Sequence, residues 1–181
     1  PDGKNVYVTS KDPGAVAVFD RDLDTGLLEL RGVVRNGSGV SGLLGASGLF
    51  LSADGTRLYV SSTTDNAVLT FSRDSAGDLA YMGRIDGQGF PSGVAGAPGG
   101  SRLFFQQAGA PRLSHASINP MTGVPAEPGS AIELGPGSGF TGWFGARSFV
   151  VSPDDRFVYS LQSGRHEMRA VDVSESGFGG V

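Results

Sequence analysis

The stretch FDRDLDTGLLEL, residues 19–30, sets Asp20, Asp22 and Asp24 at alternate positions, as a calcium loop of the D-x-D-x-D type begins. A helix-flanked calcium loop also needs glycine at its sixth position and an acid at its twelfth. Thr25 and Arg31 stand there instead. The stretch therefore reads as an acidic turn. The expectation is no metal and no cofactor, with Asp20, Asp22 and Asp24 the candidate ligands should a cation bind.

Two histidines exist, His115 in LSHAS and His166 in GRHEM. A general base needs a partner that orients and tunes it. Glu167 follows His166, but neighbours on a strand point to opposite faces. Both histidines read as structural or exposed, and they stand as the candidate bases if there is chemistry. Neither has a second histidine at zinc-ligand spacing. Trp143 and Phe144, in the glycine-rich GFTGWFGAR (139–147), form either an apolar plug between packed elements or an exposed platform for a sugar ring or partner protein. No G-x-S-x-G nucleophile elbow occurs in a strand-to-helix setting. The glycine-rich GSGVSGLLG (37–45) and GPGSGFTG (135–142) lack the lysine of a phosphate cradle, since Lys4 and Lys11 lie elsewhere.

The elements that must hold these residues follow from composition. Thirty glycines and ten prolines in 181 residues are too many for helix interiors and mark many turns. The expected fold is all-β, made of short strands. Apolar residues are 39% of the chain, and no run approaches the ~18 a membrane helix needs. Neither nucleic acid nor membrane insertion is expected, because the net charge is −4 and the basic residues are scattered. The absence of cysteine removes disulfides and thiolate chemistry without fixing a compartment. The chain starts Pro1-Asp2 rather than with methionine, which suggests a processed product, an excised domain or a stretch of a longer chain.

An internal repeat sets the architecture. DGKNVYVTS from Asp2, DGTRLYVSS from Asp54, GGSRLFFQQ from Gly99 and DDRFVYSLQ from Asp154 share a tight turn followed by a strand. Each has an aromatic residue five positions after its anchor: Tyr7, Tyr59, Phe104 and Tyr159. Chance rarely aligns four aromatics when they are 9% of residues. Upstream, GASGLFLSADG, FPSGVAGAPGG and GARSFVVSPDD align without a gap. Downstream, a third strand enters a polar hairpin with a glycine at Gly26, Gly77, Gly123 or Gly177. Four strands per ~50 residues make a β-propeller blade. The expectation is four visible antiparallel blades, approximately 1–44, 45–89, 90–144 and 145–181. The first lacks its inner strand, and the whole is part of a six- to eight-bladed ring. The acidic turn at Asp20–Asp24 becomes a blade's outer hairpin, and the glycine-rich stretches become crossovers between blades.

The S-x-DG-x-x-(L/V)-Y-V pattern, the A-V-x-x-F-x-R-D strand and the following T-G-x-L resemble the bacterial lactonase-like seven-bladed propellers, and also the repeats of bacterial surface and secreted propeller proteins. The likeness covers essentially the whole chain and is weakest in the third unit. It implies a central channel whose mouth, in members similar to 6-phosphogluconolactonase, gathers His, Arg and Glu for opening a lactone ring. The matching positions are Ser47, Ser92 and Arg147, at the start of three inner strands. One basic residue and no histidine occupy them. The favoured expectation is accordingly a non-catalytic scaffold or binding module that presents a disc face to a protein, glycan or polymer, with Trp143, Phe144, Ser47, Ser92 and Arg147 as binding candidates. The alternative is a lactonase-like hydrolase using Arg147, His115 and His166. The surface-protein likeness implies an extracytoplasmic, bacterial location. Further blades could come from the same or another chain.

Overall fold

The computed structural model describes residues 2–37, 39–108, 112–129, 131–133, 149–162 and 167–174. All regular structure in them is β. The first sheet holds β1 (Asn5–Ser10), β2 (Ala15–Arg21) and β3 (Leu28–Arg35), in that order. The second holds β4 (Ala46–Leu51), β5 (Arg57–Ser62), β6 (Ala67–Arg73) and β7 (Leu79–Asp86). The third holds β8 (Pro91–Gly96), β9 (Arg102–Gln107), β10 (Arg112–Ile118) and β11 (Pro125–Pro128), with β12 (Ile132–Glu133) also paired to β10. The fourth holds β13 (Phe149–Val151), β14 (Phe157–Gln162) and β15 (Glu167–Asp172). Every pairing is antiparallel, and all but that of β10 with β12 join chain neighbours, as in hairpins. Each sheet is a propeller blade. Among the described residues the first and last blades have three strands.

Outer strands differ between blades for a reason visible in their residues. β7 pairs with β6 along its whole length, with one bulge. In the third blade Pro125 and Pro128 cannot donate to the ladder, and the outer strand is broken into β11 and β12. An edge position tolerates that loss.

Successive side chains of each second strand pack against different neighbours. From β5, Leu58 and Val60 join Val16, Leu43 and Phe71 between blades one and two, while Tyr59 joins Val94, Leu103 and Phe105 between blades two and three. From β9, Phe104 joins Phe149, Val158 and Val171 between blades three and four. A blade buried on both faces explains why these strands read as near-continuous apolar runs.

The repeated aromatic is an inter-blade stitch. The Tyr7 hydroxyl donates to the carbonyl of Gly77, in the outer hairpin of the second blade, at 2.7 Å. The Tyr59 hydroxyl donates to Gly123, in the third, at 2.8 Å. Phe104 has no hydroxyl; beside it Arg102 reaches the Asp155 carbonyl at 2.9 Å and the Val173 carbonyl of the fourth blade. The Tyr–Gly pairs link residues about 70 positions apart and set blade against blade.

Two glycines are set by close approach. A Cβ on Gly48 would lie 2.9 Å from the Gly93 Cα, because the inner strands β4 and β8 meet backbone to backbone. A Cβ on Gly96 would lie 2.1 Å from Phe50 Cε1, so that ring rests on bare backbone. No helix among the described residues is long and apolar enough to cross a membrane.

Candidate functional site

Ser47 and Ser92 occupy equivalent places on two inner strands, each at a register shift: Ala46 pairs with Ser62 and Gly48 with Ser61, while Pro91 pairs with Gln107 and Gly93 with Gln106. Each serine is thus the extra residue of a β-bulge, a device that re-aims a side chain. Both bulges lie at the strand ends that receive the crossovers and the loops between second and third strands.

A hydroxyl and amide cluster surrounds them. Ser47 Oγ lies 3.3 Å from both Ser61 Oγ and Thr63 Oγ1. Ser61 Oγ accepts from the Gly48 N–H at 2.9 Å. Thr9 Oγ1 donates to the Ser47 carbonyl across the first interface at 3.1 Å, and Thr63 Oγ1 donates to the Pro91 carbonyl across the second at 2.9 Å. Ser92 Oγ donates to the Gln106 carbonyl at 3.4 Å, and Gln107 Nε2 to Ser114 Oγ at 2.8 Å. Gln106 is 2% exposed, and its side-chain amide has no hydrogen-bond partner among the described residues.

Phe90, immediately before the second bulge, is 53% exposed and has φ of +58°. A bulky residue in the left-handed region is held there by its surroundings. Here the Phe90 N–H donates to Asn66 Oδ1 at 2.6 Å. The result is an exposed aromatic ring beside Ser92. Sequence reasoning missed Phe90, Thr63 and Gln106. An aromatic ahead of Pro91 was a weak signal for the first, whereas the other two become visible only as neighbours across strands.

The remaining candidates lie apart from this cluster or outside the described residues. His115 sits in mid-β10, two strands outward from the inner strand. Its ring meets Phe104 edge-on at 6.3 Å, and Gly129 N donates to its carbonyl at 2.8 Å. Burial first, and then the charge of Arg102, holds its imidazole below the usual histidine range. Trp143, Phe144, Arg147 and His166 lie outside the described residues. Two of the acidic trio are engaged within the first blade. Asp20 accepts from Asn5 and Arg31, and Asp22 Oδ1 caps the N–H groups of Asp24 and Thr25 at 3.0 and 2.7 Å. Those bonds hold the Asp22 carboxyl below the usual carboxylate range. Among the described residues no group of three His, Cys, Asp or Glu could hold a metal.

Chemically, the cluster offers neutral donors and acceptors around bulged serines. Ser47 Oγ is bonded to hydroxyls rather than to a base, so no described group activates it as a nucleophile. The described half of such a site can bind and orient a polyhydroxyl ligand.

Four-stranded antiparallel blades packed around inner strands define a β-propeller. The family model described as "Lactonase, 7-bladed beta-propeller" matches residues 1–141, and the chain belongs to that family. No curated protein matches it. Among solved structures it is similar to a candidate 6-phosphogluconolactonase from Bacteroides uniformis, at 18% identity and a TM-score of 0.78, over 98% of this chain and 50% of that one. A Lactobacillus plantarum protein aligns at 19% identity and a TM-score of 0.78, over 97% and 52%. The periplasmic gluconolactonase of Pseudomonas aeruginosa aligns at 30% identity and a TM-score of 0.66, over 74% of this chain and 38% of that one. The chain thus spans about half the length, or less, of the structures it matches.

Proposed function

We propose that this chain contributes the substrate-holding wall of a lactonase-like propeller, which binds a sugar lactone at the channel-side ends of its inner strands. The observation that carries the reading is the hydroxyl cluster of Ser47, Ser61 and Thr63, set at the bulge where the family's channel residues fall. A sugar lactone carries hydroxyls that need both donors and acceptors, and each side-chain hydroxyl of the cluster can serve as either. The exposed Phe90 ring offers an apolar face for the sugar's C–H groups. Membership of the lactonase family favours this reading over a non-catalytic scaffold. Arg147 would supply positive charge to the oxyanion that develops as the ring opens, and general acid–base groups would come from residues beyond the described cluster. The periplasmic neighbour supports an extracytoplasmic location.

The test is lactone hydrolysis by the full-length protein, with glucono-δ-lactone and its 6-phosphate as substrates. Ser47→Ala with Thr63→Val should raise KM with kcat little changed, and Arg147→Ala should lower kcat. Lactone binding without turnover would return the protein to the scaffold reading, in which the same disc face recruits a protein or glycan. Neither binding nor turnover would overturn the lactone assignment.

A further inference from the structure

On the opposite side of the disc, where the DG turns and outer hairpins lie, a cleft of about 280 Å³ opens between blades two and three. Its counterpart between blades one and two is filled by the Arg73 side chain. Arg73 donates to the Tyr7 hydroxyl at 2.7 Å, to Asn5 Oδ1 at 2.7 Å, to the Asp2 carboxylate at 2.8 Å and to the Gly55 carbonyl at 3.3 Å. The strand registers make Tyr59, Arg57 and Asp54 the equivalents of Tyr7, Asn5 and Asp2, and Ile118 the equivalent of Arg73. The slot therefore keeps its tyrosine and its aspartate but loses the arginine that would fill it.

What can enter follows from the charges left behind. Asp54 accepts from Ser52 and Thr56 within its own turn and makes no bond to blade three among the described residues. Arg57, which lines the cleft, uses Nε and Nη1 on the Thr122 and Thr56 carbonyls, and its Nη2 has no bond among the described residues. Asn119 spends Oδ1 on the N–H groups of Met121 and Thr122, leaving its amide nitrogen as a second donor. A guanidinium or ammonium would meet the charge of Arg57, and an anion that of Asp54. A neutral ligand with adjacent hydroxyls fits both, donating to Asp54 and accepting from Arg57 and Asn119. Phe50, Ile118 and Pro120 supply the apolar wall against which a sugar's C–H face packs. The volume lies just below the range for drug-sized ligands and suits a single ring. We propose that this cleft is a binding site for a neutral monosaccharide unit, separate from the channel-side cluster and independent of any lactonase activity.

The test is calorimetric titration of the full-length protein with glucose, galactose, mannose and N-acetylglucosamine, with gluconate and L-arginine as charged comparators. At least one neutral sugar should bind saturably. Ile118→Trp, which fills the slot with a bulky uncharged side chain, should weaken that binding at least about tenfold. Asn119→Asp keeps the turn-capping oxygen and removes the donor, and should weaken it similarly. Melting curves of both variants check that the fold is retained. Ser47→Ala with Thr63→Val should leave this binding unchanged, which separates it from the channel-side site. The proposal is overturned if no neutral sugar binds, if a charged comparator alone binds, or if folded Ile118→Trp and Asn119→Asp bind like the parent.

Discussion

The interfaces between blades one and two and between blades two and three are built from the same repeat and end differently. In the first, the third strand supplies Arg73, whose side chain is 6% exposed and threads between the blades to four partners. In the second, the arginine comes from the second strand as Arg57 and lies along the hairpin of the next blade. It passes so close to Gly123 that a Cβ there would sit 2.5 Å from Nε. Between blades three and four Arg102, again on the second strand, bonds the Asp155 and Val173 carbonyls. Each interface thus has an arginine bridging to carbonyl groups. The strand that supplies it decides whether the slot is sealed or open, because an arginine on the third strand crosses the gap and one on the second strand skirts it.

The largest effect is expected where the arginine is sealed in. Arg73→Ala should destabilise the protein by roughly 3 kcal/mol, since it removes the bonds to Tyr7, Asn5 and Asp2 that tie blade two to blade one. Thermal or denaturant unfolding would measure this, and a loss no greater than that of Arg57→Ala would break the comparison. Next is Gly96→Ala, where the new methyl must displace the Phe50 ring that walls the open cleft. Overpacking of this kind costs about 2 kcal/mol. A crystal structure of the variant should show the ring shifted into the cleft.

The tyrosine stitches sharpen the contrast further. Tyr59→Phe removes one bond to Gly123 and should cost about 1 kcal/mol. Tyr7→Phe should cost more, because Arg73 Nε then loses its acceptor inside the slot. Equal losses by unfolding would show that Arg73 does not depend on Tyr7. The smallest effect is expected from the pH profile of melting temperature. The imidazole of His115 is held low by burial, so its contribution is complete above the unfolded value near 6.5 and declines as pH falls below it. Asp2 is held low mainly by Arg73, and Asp54 by Ser52 and the Thr56 N–H. Their contributions are present above about pH 4 and are lost as pH falls through their depressed values. Arg73→Ala should reduce the Asp2 part of the acid limb and leave the Asp54 part intact.

Much of the fold was legible in the chain. The DG turns, the aromatic five residues on and the hairpin glycines mark strand ends by local chemistry, and local chemistry repeats when a blade repeats. The missing inner strand of the first blade and the bulge serines Ser47 and Ser92 could be placed by alignment alone. The preference for a scaffold was less well founded. It rested on the scarcity of charged groups at the inner strands, whereas the family match favours the lactonase alternative. What surrounds the serines was not legible, because Ser61, Thr63 and Gln106 reach them only through strand pairing and blade packing.

The sequence by itself determined the strand order and the blade unit, since turn dihedrals and alternation of side chains are local properties. The tertiary structure alone decided three things. It gave the repeated tyrosine a carbonyl partner in the next blade, it left the Gln106 amide without a partner among the described residues, and it left one inter-blade slot open where its neighbour is closed. Each depends on which side chains meet across an interface between segments some 70 residues apart, a matter of packing geometry that no local pattern encodes.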